Sequence, residues 1–243
     1  MRSYAAILGL AAALPRLCSA HGFVTGVTIN GVFTNGSDPV WYWYPEGTAP
    51  ETAGWDSLNQ DLGFVSPDSF GTSDIACHKS ATVGKKFVSV NAGDTIKFAW
   101  NTWPDSHKGP IINYIAPYSA TAGDLKWSKI SQSAIVSGTT WATDELIANG
   151  FTTSTVLPKN LKAGDYVIRH EIIALHGAQS ANGAQAYPQC LNLRVGGSGT
   201  VVPSAGTAGN ALYKSTDAGI NFNLYVSYTD YPFPGPQLWT AAN

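Results

Sequence analysis

Histidine is scarce in this chain, five in 243 residues, and the position of one of them matters most. Residues 1–20 read as a secretory leader: Met1 and Arg2, the apolar stretch Tyr4–Leu14, then Cys18-Ser19-Ala20. The small last and third-last residues of that segment suit signal peptidase. Cleavage after Ala20 makes His21 the first residue, and its α-amine and imidazole Nδ1 can then close a chelate ring on one metal ion. A nitrogen-rich donor set of this kind suits copper(II), which stands at the top of the divalent affinity order. The plain alternative is that a histidine falls there by chance.

The other histidines divide by context. His107 closes Trp103-Pro104-Asp105-Ser106-His107, after an apolar strand and before the Gly109-Pro110 turn, so a loop tip can carry it to a metal held by the N-terminus. Taken alone, such a residue is more often just a solvated loop histidine. His170-Glu171 and His176 have the ingredients of a zinc-protease helix, but the histidines are six apart rather than four and the segment is β-branched. Helical ligation fails; on a strand the even separation places both on one face, with at least one of them structural. Gln185 and Tyr187 follow. Tyr187 can approach a metal axially and Gln185 can hold a small oxygen ligand, or they are a core tyrosine and an exposed amide.

The elements that must position these groups read as β-structure. Removing the leader leaves 223 residues, enough for one large all-β domain, and shifts the balance to 12 basic against 16 acidic side chains because Arg2 and Arg16 go with it. No basic cluster occurs, which argues against nucleic acid and anionic membranes as partners. Phe23–Ile29 ends at Asn30-Gly31, a hairpin signal. Lys86–Asn91, Ala92-Gly93-Asp94 and Thr95–Asn101 read as a second hairpin. Ile111–Ala116, Lys126–Ile130, Asp165–Leu175 and Gln189–Val195 are further strands, and Ala142–Asn149 is one short helix. Short strands with Gly- and Pro-rich turns predict an antiparallel immunoglobulin- or fibronectin-like β-sandwich with long loops and at most short helices. The aperiodic stretch between Trp41 and Ser73, with Trp41-Tyr42-Trp43-Tyr44, is long enough to suggest a functional loop. Gly196–Gly209 resembles a linker, but only 34 residues follow it without a cysteine, so residues 21–243 are expected to form a single catalytic domain with no separate carbohydrate-binding module.

Cysteine usage agrees with export. Cys18 leaves with the leader, and Cys77 and Cys190, 113 residues apart, remain as a natural pair. A bridge of that span removes about 4–5 kcal/mol of unfolded-chain entropy in the simple model. Two buried free thiols are the alternative. Asn35-Gly36-Ser37 is an acceptor sequon for N-glycosylation at Asn35.

His21 behind a cleavable leader, Trp103–His107, the run Arg169-His170-Glu171-Ile172-Ile173-Ala174-Leu175-His176, Gly183–Cys190 and the terminal Pro234-Gly235-Pro236 together closely resemble the fungal copper-dependent lytic polysaccharide monooxygenases, specifically the cellulose-active auxiliary activity family nine. The resemblance runs from His21 to about Trp239. It implies a histidine brace: the α-amine and Nδ1 of His21 and a nitrogen of His107 on one copper ion, with Tyr187 as axial neighbour. His176 and Gln185 match the pair that hydrogen-bonds oxygen species beside the metal, while His170 falls at a structural position. Cys77 and Cys190 match the family's common disulfide; the second bridge of other members has no cysteines here. Tyr44, Tyr225 and, more weakly, Tyr231 and Tyr42 match positions of a flat sugar-binding surface. The implied activity is a secreted, monomeric enzyme that hydroxylates C1 or C4 in cellulose or a related β-glucan with O2 or H2O2, fed by an external electron donor. Hydroxylation there breaks the glycosidic bond by elimination.

Two other readings stay open on the residues alone. One is a non-catalytic copper-binding or copper-transfer protein with the same brace, which has no need of Gln185, Tyr187 or the aromatic loop. The other is a carbohydrate-binding sandwich in which the aromatics act without metal. A glycoside hydrolase lacks support, since no carboxylate pair stands out.

Overall fold

Alternation sets the strands, and burial on one or both sides sets how strict the alternation is. A computed structural model describes residues 21–203 and 205–243, so the expected leader and Cys18 lie outside the described residues. The elements in chain order are β1 (Val24–Ile29), β2 (Val32–Asn35), α1 (Asp74–Cys77), β3 (Val88–Asn91), β4 (Thr95–Trp100), β5 (Ile111–Pro117) and β6 (Lys126–Ser133). They continue with β7 (Ile135–Ser137), β8 (Thr140–Trp141), α2 (Ala142–Ala148), β9 (Thr152–Val156), β10 (Gly164–Ala174), β11 (Gln185–Gly196) and β12 (Thr207–Ala208). A four-stranded sheet in the order β2-β1-β4-β9 faces a six-stranded sheet in the order β12-β6-β5-β10-β11-β3, and β7-β8 form a small ribbon.

β3 and β4 alternate, because only one of their faces is covered. β5 and β10 are continuously buried runs with a reason on each side. Ile115, Ile168, Ile172 and Leu191 pack between the sheets against Val27 and Phe98. Ile112, Tyr114, Val167 and Ile173 pack outward under a layer of loops that supplies Trp55, Ile75, Tyr213 and Tyr231. Asn30 and Gly31, at φ 49° and 80°, make the β1–β2 turn that their types predict.

Two readings of the sequence are corrected. Lys86–Asn91 and Thr95–Asn101 do not form a hairpin: β3 pairs in parallel with β11, and β4 pairs with β1 and β9. The Ala92-Gly93-Asp94 turn is a corner between sheets, closed by Asp94 Oδ2 accepting from Asn91 N at 2.9 Å, and it lets both strands bury their apolar faces in one core. His170 and His176 do not share a strand face, because β10 ends at Ala174 and the chain turns before His176. His170 sits between the sheets, stacked on Phe98 with ring centroids 4.0 Å apart. Its Nε2 accepts from Trp100 Nε1 at 3.0 Å and its Nδ1 lies 2.7 Å from Asn113 Oδ1, so it is a neutral structural histidine.

Residues 196–203 and 205–209 are held rather than loose, through bridges from Gly199 and Val201 to Lys162 and Leu161 and from Thr207 to Trp127. The tail packs back on the six-stranded sheet: Trp239 N donates to Lys129 O, and Lys129 Nζ donates to Pro234 O at 2.8 Å. Cys77 and Cys190 are joined, tying α1 to β11.

Candidate metal centre

Three backbone clamps bring distant histidines to one edge of the sandwich. The first holds the N-terminal segment on the end of β4: Phe23 N donates to Asn101 Oδ1 at 2.8 Å and Asn101 N donates to Phe23 O at 3.1 Å. Gly22 lies so close to this segment that a methyl on its Cα would come within 2.1 Å of Thr102 O. The second folds the loop after β4, where His107 N bonds Pro104 O and Trp103 Nε1 donates to His107 O at 2.9 Å. The third lays that loop on the end of β10 through Leu175 N to Lys108 O at 2.9 Å. Gly109 makes the approach possible, since a methyl there would meet Ile173 O at 1.9 Å.

The result gathers His21, His107, His176 and Tyr187. Ring centroids are 5.3 Å apart for His21–His107, 3.8 Å for His107–His176 and 5.6 Å for His21–Tyr187. Tyr187 is buried on β11, with Trp103 edge-on at 5.0 Å. Its hydroxyl donates to Gln185 Oε1 at 2.7 Å, and two residues along one strand put both side chains on the same face. Phe64, from the aperiodic loop, packs at 6.1 Å from both His21 and Tyr187. No periodicity in its surroundings marks that residue, and only its place in a long aromatic-bearing loop hints at it. In the sequence Asn101 stands out only as the end of a predicted strand, and Trp103 only as the first residue of the motif that ends in His107.

The electrostatics favour neutral nitrogen donors. His107 is pushed down to about 4, first by burial and then by the neighbouring His176 and His21. His21 and His176 are lowered too, mainly by burial, with Asp61 opposing the shift at His21. Tyr187 is raised, by burial and then by Asp61, so its phenol keeps its proton. His107 Nε2 and His176 Nδ1 are buried polar atoms without a hydrogen-bond partner, while His107 Nδ1 lies 3.1 Å from Ser106 Oγ. Buried nitrogens are rarely left orphaned, and a bound ion is one of the standard resolutions. The neighbouring rings of His21 and His107 offer two imidazole nitrogens, and a third nitrogen donor would complete a set of the kind copper favours. An N-terminal amine at His21 is such a donor, and an all-nitrogen set fits copper best.

The aromatic candidates separate clearly. Tyr225 is 69% exposed and its hydroxyl donates to His176 O at 2.9 Å, which places it beside the cluster. Tyr44 is 46% exposed, at the end of the turn formed by Pro39–Trp43. Tyr231 is corrected: it is 2% exposed, donates to Gly219 O and is enclosed by Trp141, Phe222 and Phe233, so it is a core residue and no sugar platform.

Comparison with known proteins agrees with this geometry. The sequence profile of Auxiliary Activity family 9 (formerly GH61) matches residues 21–231. The chain is 50% identical over 250 residues to AA9 family lytic polysaccharide monooxygenase F of Emericella nidulans, covering 99% of each. It is 48% identical to AA9 family lytic polysaccharide monooxygenase F of Malbranchea cinnamomea, over 94% of this chain and 95% of that one. Among solved structures, the glycoside hydrolase family 61 member Cel61B from Hypocrea jecorina superposes with a TM-score of 0.86 at 42% identity, over 90% of this chain and all of that one. A cellulose-active polysaccharide monooxygenase from M. thermophila superposes with a TM-score of 0.75 at 26% identity, over 90% of this chain and 99% of that one. With sandwich, histidine cluster and matched span in agreement, the chain belongs to Auxiliary Activity family 9, the copper-dependent monooxygenases that act on polysaccharides.

Proposed function

We propose that export and cleavage after Ala20 complete the donor set, and that the α-amine and Nδ1 of His21 with Nε2 of His107 hold one copper ion. The observation that carries this is the buried, unpartnered Nε2 of His107, in a neutral imidazole beside the ring of the residue that cleavage makes N-terminal. The enzyme cleaves β-1,4-glucosidic bonds of cellulose oxidatively, at C1, C4 or both, using O2 or H2O2 and electrons from an external reductant. Copper, when bound, supplies the one-electron chemistry that activates the oxygen co-substrate.

The protein's residues supply the rest. Gln185 has its oxygen engaged by Tyr187, so its amide N–H groups are the ends left to donate toward a small oxygen ligand. The protonated Tyr187 fixes that orientation and brings no extra negative charge. His176, neutral and with Nδ1 unpartnered, is placed to hold or pass a proton there. Trp103, Phe64 and Tyr187 exclude water from beneath the histidines. Tyr225, anchored to the His176 carbonyl, offers a ring on which a glucosyl face can stack beside the centre.

The test uses correctly processed protein carrying one copper, on amorphous cellulose, with and without ascorbate, read by mass spectrometry. Oxidised oligosaccharides that need both copper and reductant support the proposal, and their masses report the carbon attacked. Tight copper binding with no oxidised product from cellulose overturns the substrate assignment.

A further inference from the structure

Outside the metal centre, the outer face of the four-stranded sheet carries an exposed aromatic ring that the mechanism does not use. Phe33 is 51% exposed on β2, an edge strand. Two residues on, Asn35 is exposed and begins the sequence Asn35-Gly36-Ser37. Residues two apart on a strand share a face, about 7 Å apart. The ring leans along the strand toward Asn35: Thr28 is the cross-strand partner of Phe33, yet the ring lies over Gly26, which is the partner of Asn35. A methyl on Gly26 would meet Thr34 O at 2.3 Å and Phe33 Cζ at 2.6 Å, so the backbone requires glycine there and the space it leaves is where the ring lies. Beyond Gly26 the row across the sheet continues with Ala99 and Thr152, all short side chains. The row beside it carries Phe33, Thr28, Lys97 and Ser154. Asn35 thus opens onto a shallow trough with an aromatic wall.

We propose that Asn35 carries an N-linked glycan whose first N-acetylglucosamine stacks on the exposed face of Phe33. The amide nitrogen of Asn35 forms a bond to C1 of the sugar, the sugar–phosphate bond of a polyprenyl-diphosphate-linked donor breaks, and the amide loses a proton. Ser37 supplies the sequon hydroxyl before folding; afterwards that hydroxyl is engaged by Asp56. The sugar's C–H face then covers apolar surface on an edge strand that would otherwise offer unpaired backbone and two apolar side chains, Val32 and Phe33, to another chain. The inference rests on passage through the secretory route and not on copper, cellulose or any step at the metal centre.

The experiment compares the full chain, secreted from yeast, with Asn35→Gln, Phe33→Ser and the double variant, all with copper chelated. Intact mass after secretion reads occupancy, and thermal melting reads the coupling. Two results together support the stack: Asn35 is occupied, and Asn35→Gln lowers the melting temperature by about 2–4 °C when the Phe33 ring is present. In the Phe33→Ser background the same Asn35→Gln change should leave the melting temperature where it was. Phe33→Tyr should retain the full effect, because it keeps the ring. An upfield ring-current shift of the sugar's N-acetyl methyl, lost in Phe33→Ser, is the spectroscopic signature. Unoccupied Asn35 in secreted protein overturns the proposal, and so does an equal loss on Asn35→Gln in both backgrounds. Oxidised-product assays on copper-reloaded portions of the same preparations keep this result separate from the catalytic reading.

Discussion

His107 Nε2 concentrates the metal question in one atom: buried, neutral and unpartnered. A ligand that binds only the folded state stabilises it, by about 4 kcal/mol at a thousandfold excess over its dissociation constant. Copper should therefore raise the melting temperature of the processed protein by on the order of 10 °C. His107→Ala, or a single residue retained before His21, should lose nearly all of that shift, which differential scanning fluorimetry would read directly. Tyr187→Phe makes a different statement. It removes the hydroxyl that engages Gln185 Oε1, so the amide is no longer held in one orientation. Turnover should fall roughly tenfold, the worth of one hydrogen bond, while copper affinity stays within about twofold. Histidine scarcity makes His21 and His107 legible, because few residues compete for the role. Tyr231 misleads because an aromatic near the C-terminus reads the same whether it faces sugar or Trp141.

At the scale of elements, pattern reveals strands and conceals partners. β5 and β10 are plain as apolar runs, yet β11 begins at Gln185, earlier than its apolar core suggests, because Gln185–Pro188 continue the ladder with Glu171–Ala174 of β10, and Ala186 also bridges to Val65 from the aperiodic loop. The β3–β4 corner reads as a hairpin since both a corner and a hairpin need the same turn chemistry; which sheet each strand joins is decided by pairings more than a hundred residues away for β3, with β11, and about seventy for β4, with β1. The polar interruption in β10 has its own logic. Arg169, fully buried, donates to Ile75 O and Ala76 O and pairs with Glu171 at 2.6 Å, with Tyr213 also donating to Glu171. This ties α1, which carries the disulfide, to the central strand. Removing one partner of such a pair strands the other charge, so Glu171→Ala should cost about 3–5 kcal/mol in chemical denaturation. A paired apolar replacement, Arg169→Met with Glu171→Leu, should cost less than the single variant.

The whole molecule keeps every one of its five histidines below the ordinary histidine pKa, and two of them lie far from solvent. His170 and His78 are both pushed down to about 3, by burial first and then by Arg169 and Lys79 respectively. Their bonding fits the neutral form, with His170 Nε2 accepting from Trp100 and His78 Nδ1 accepting from Lys79 N. The unfolded chain takes up these protons near pH 6.5 and the folded one does not, so stability is full above that value. It falls as pH drops from about 6.5 toward 3, by about 1.4 kcal/mol per pH unit for each of the two groups. Denaturant unfolding of copper-free protein at pH 7 and pH 5 would check it, and a flat profile would contradict the neutral assignment. The clamp on Gly22 and Phe23 bears on a different matter, endurance in the presence of peptidases. With the proposed cleavage after Ala20, the residue that would bind copper is also the one an aminopeptidase would remove first, and exopeptidases need a few residues of loose chain. With Gly22 pressed on Thr102 and Phe23 bonded to Asn101, the end offers none. Asn101→Ala should thus shorten the protein's working life in aminopeptidase, seen as loss of His21 by intact mass, before it lowers the initial rate. The tether that builds the site also guards it against erosion by a single residue.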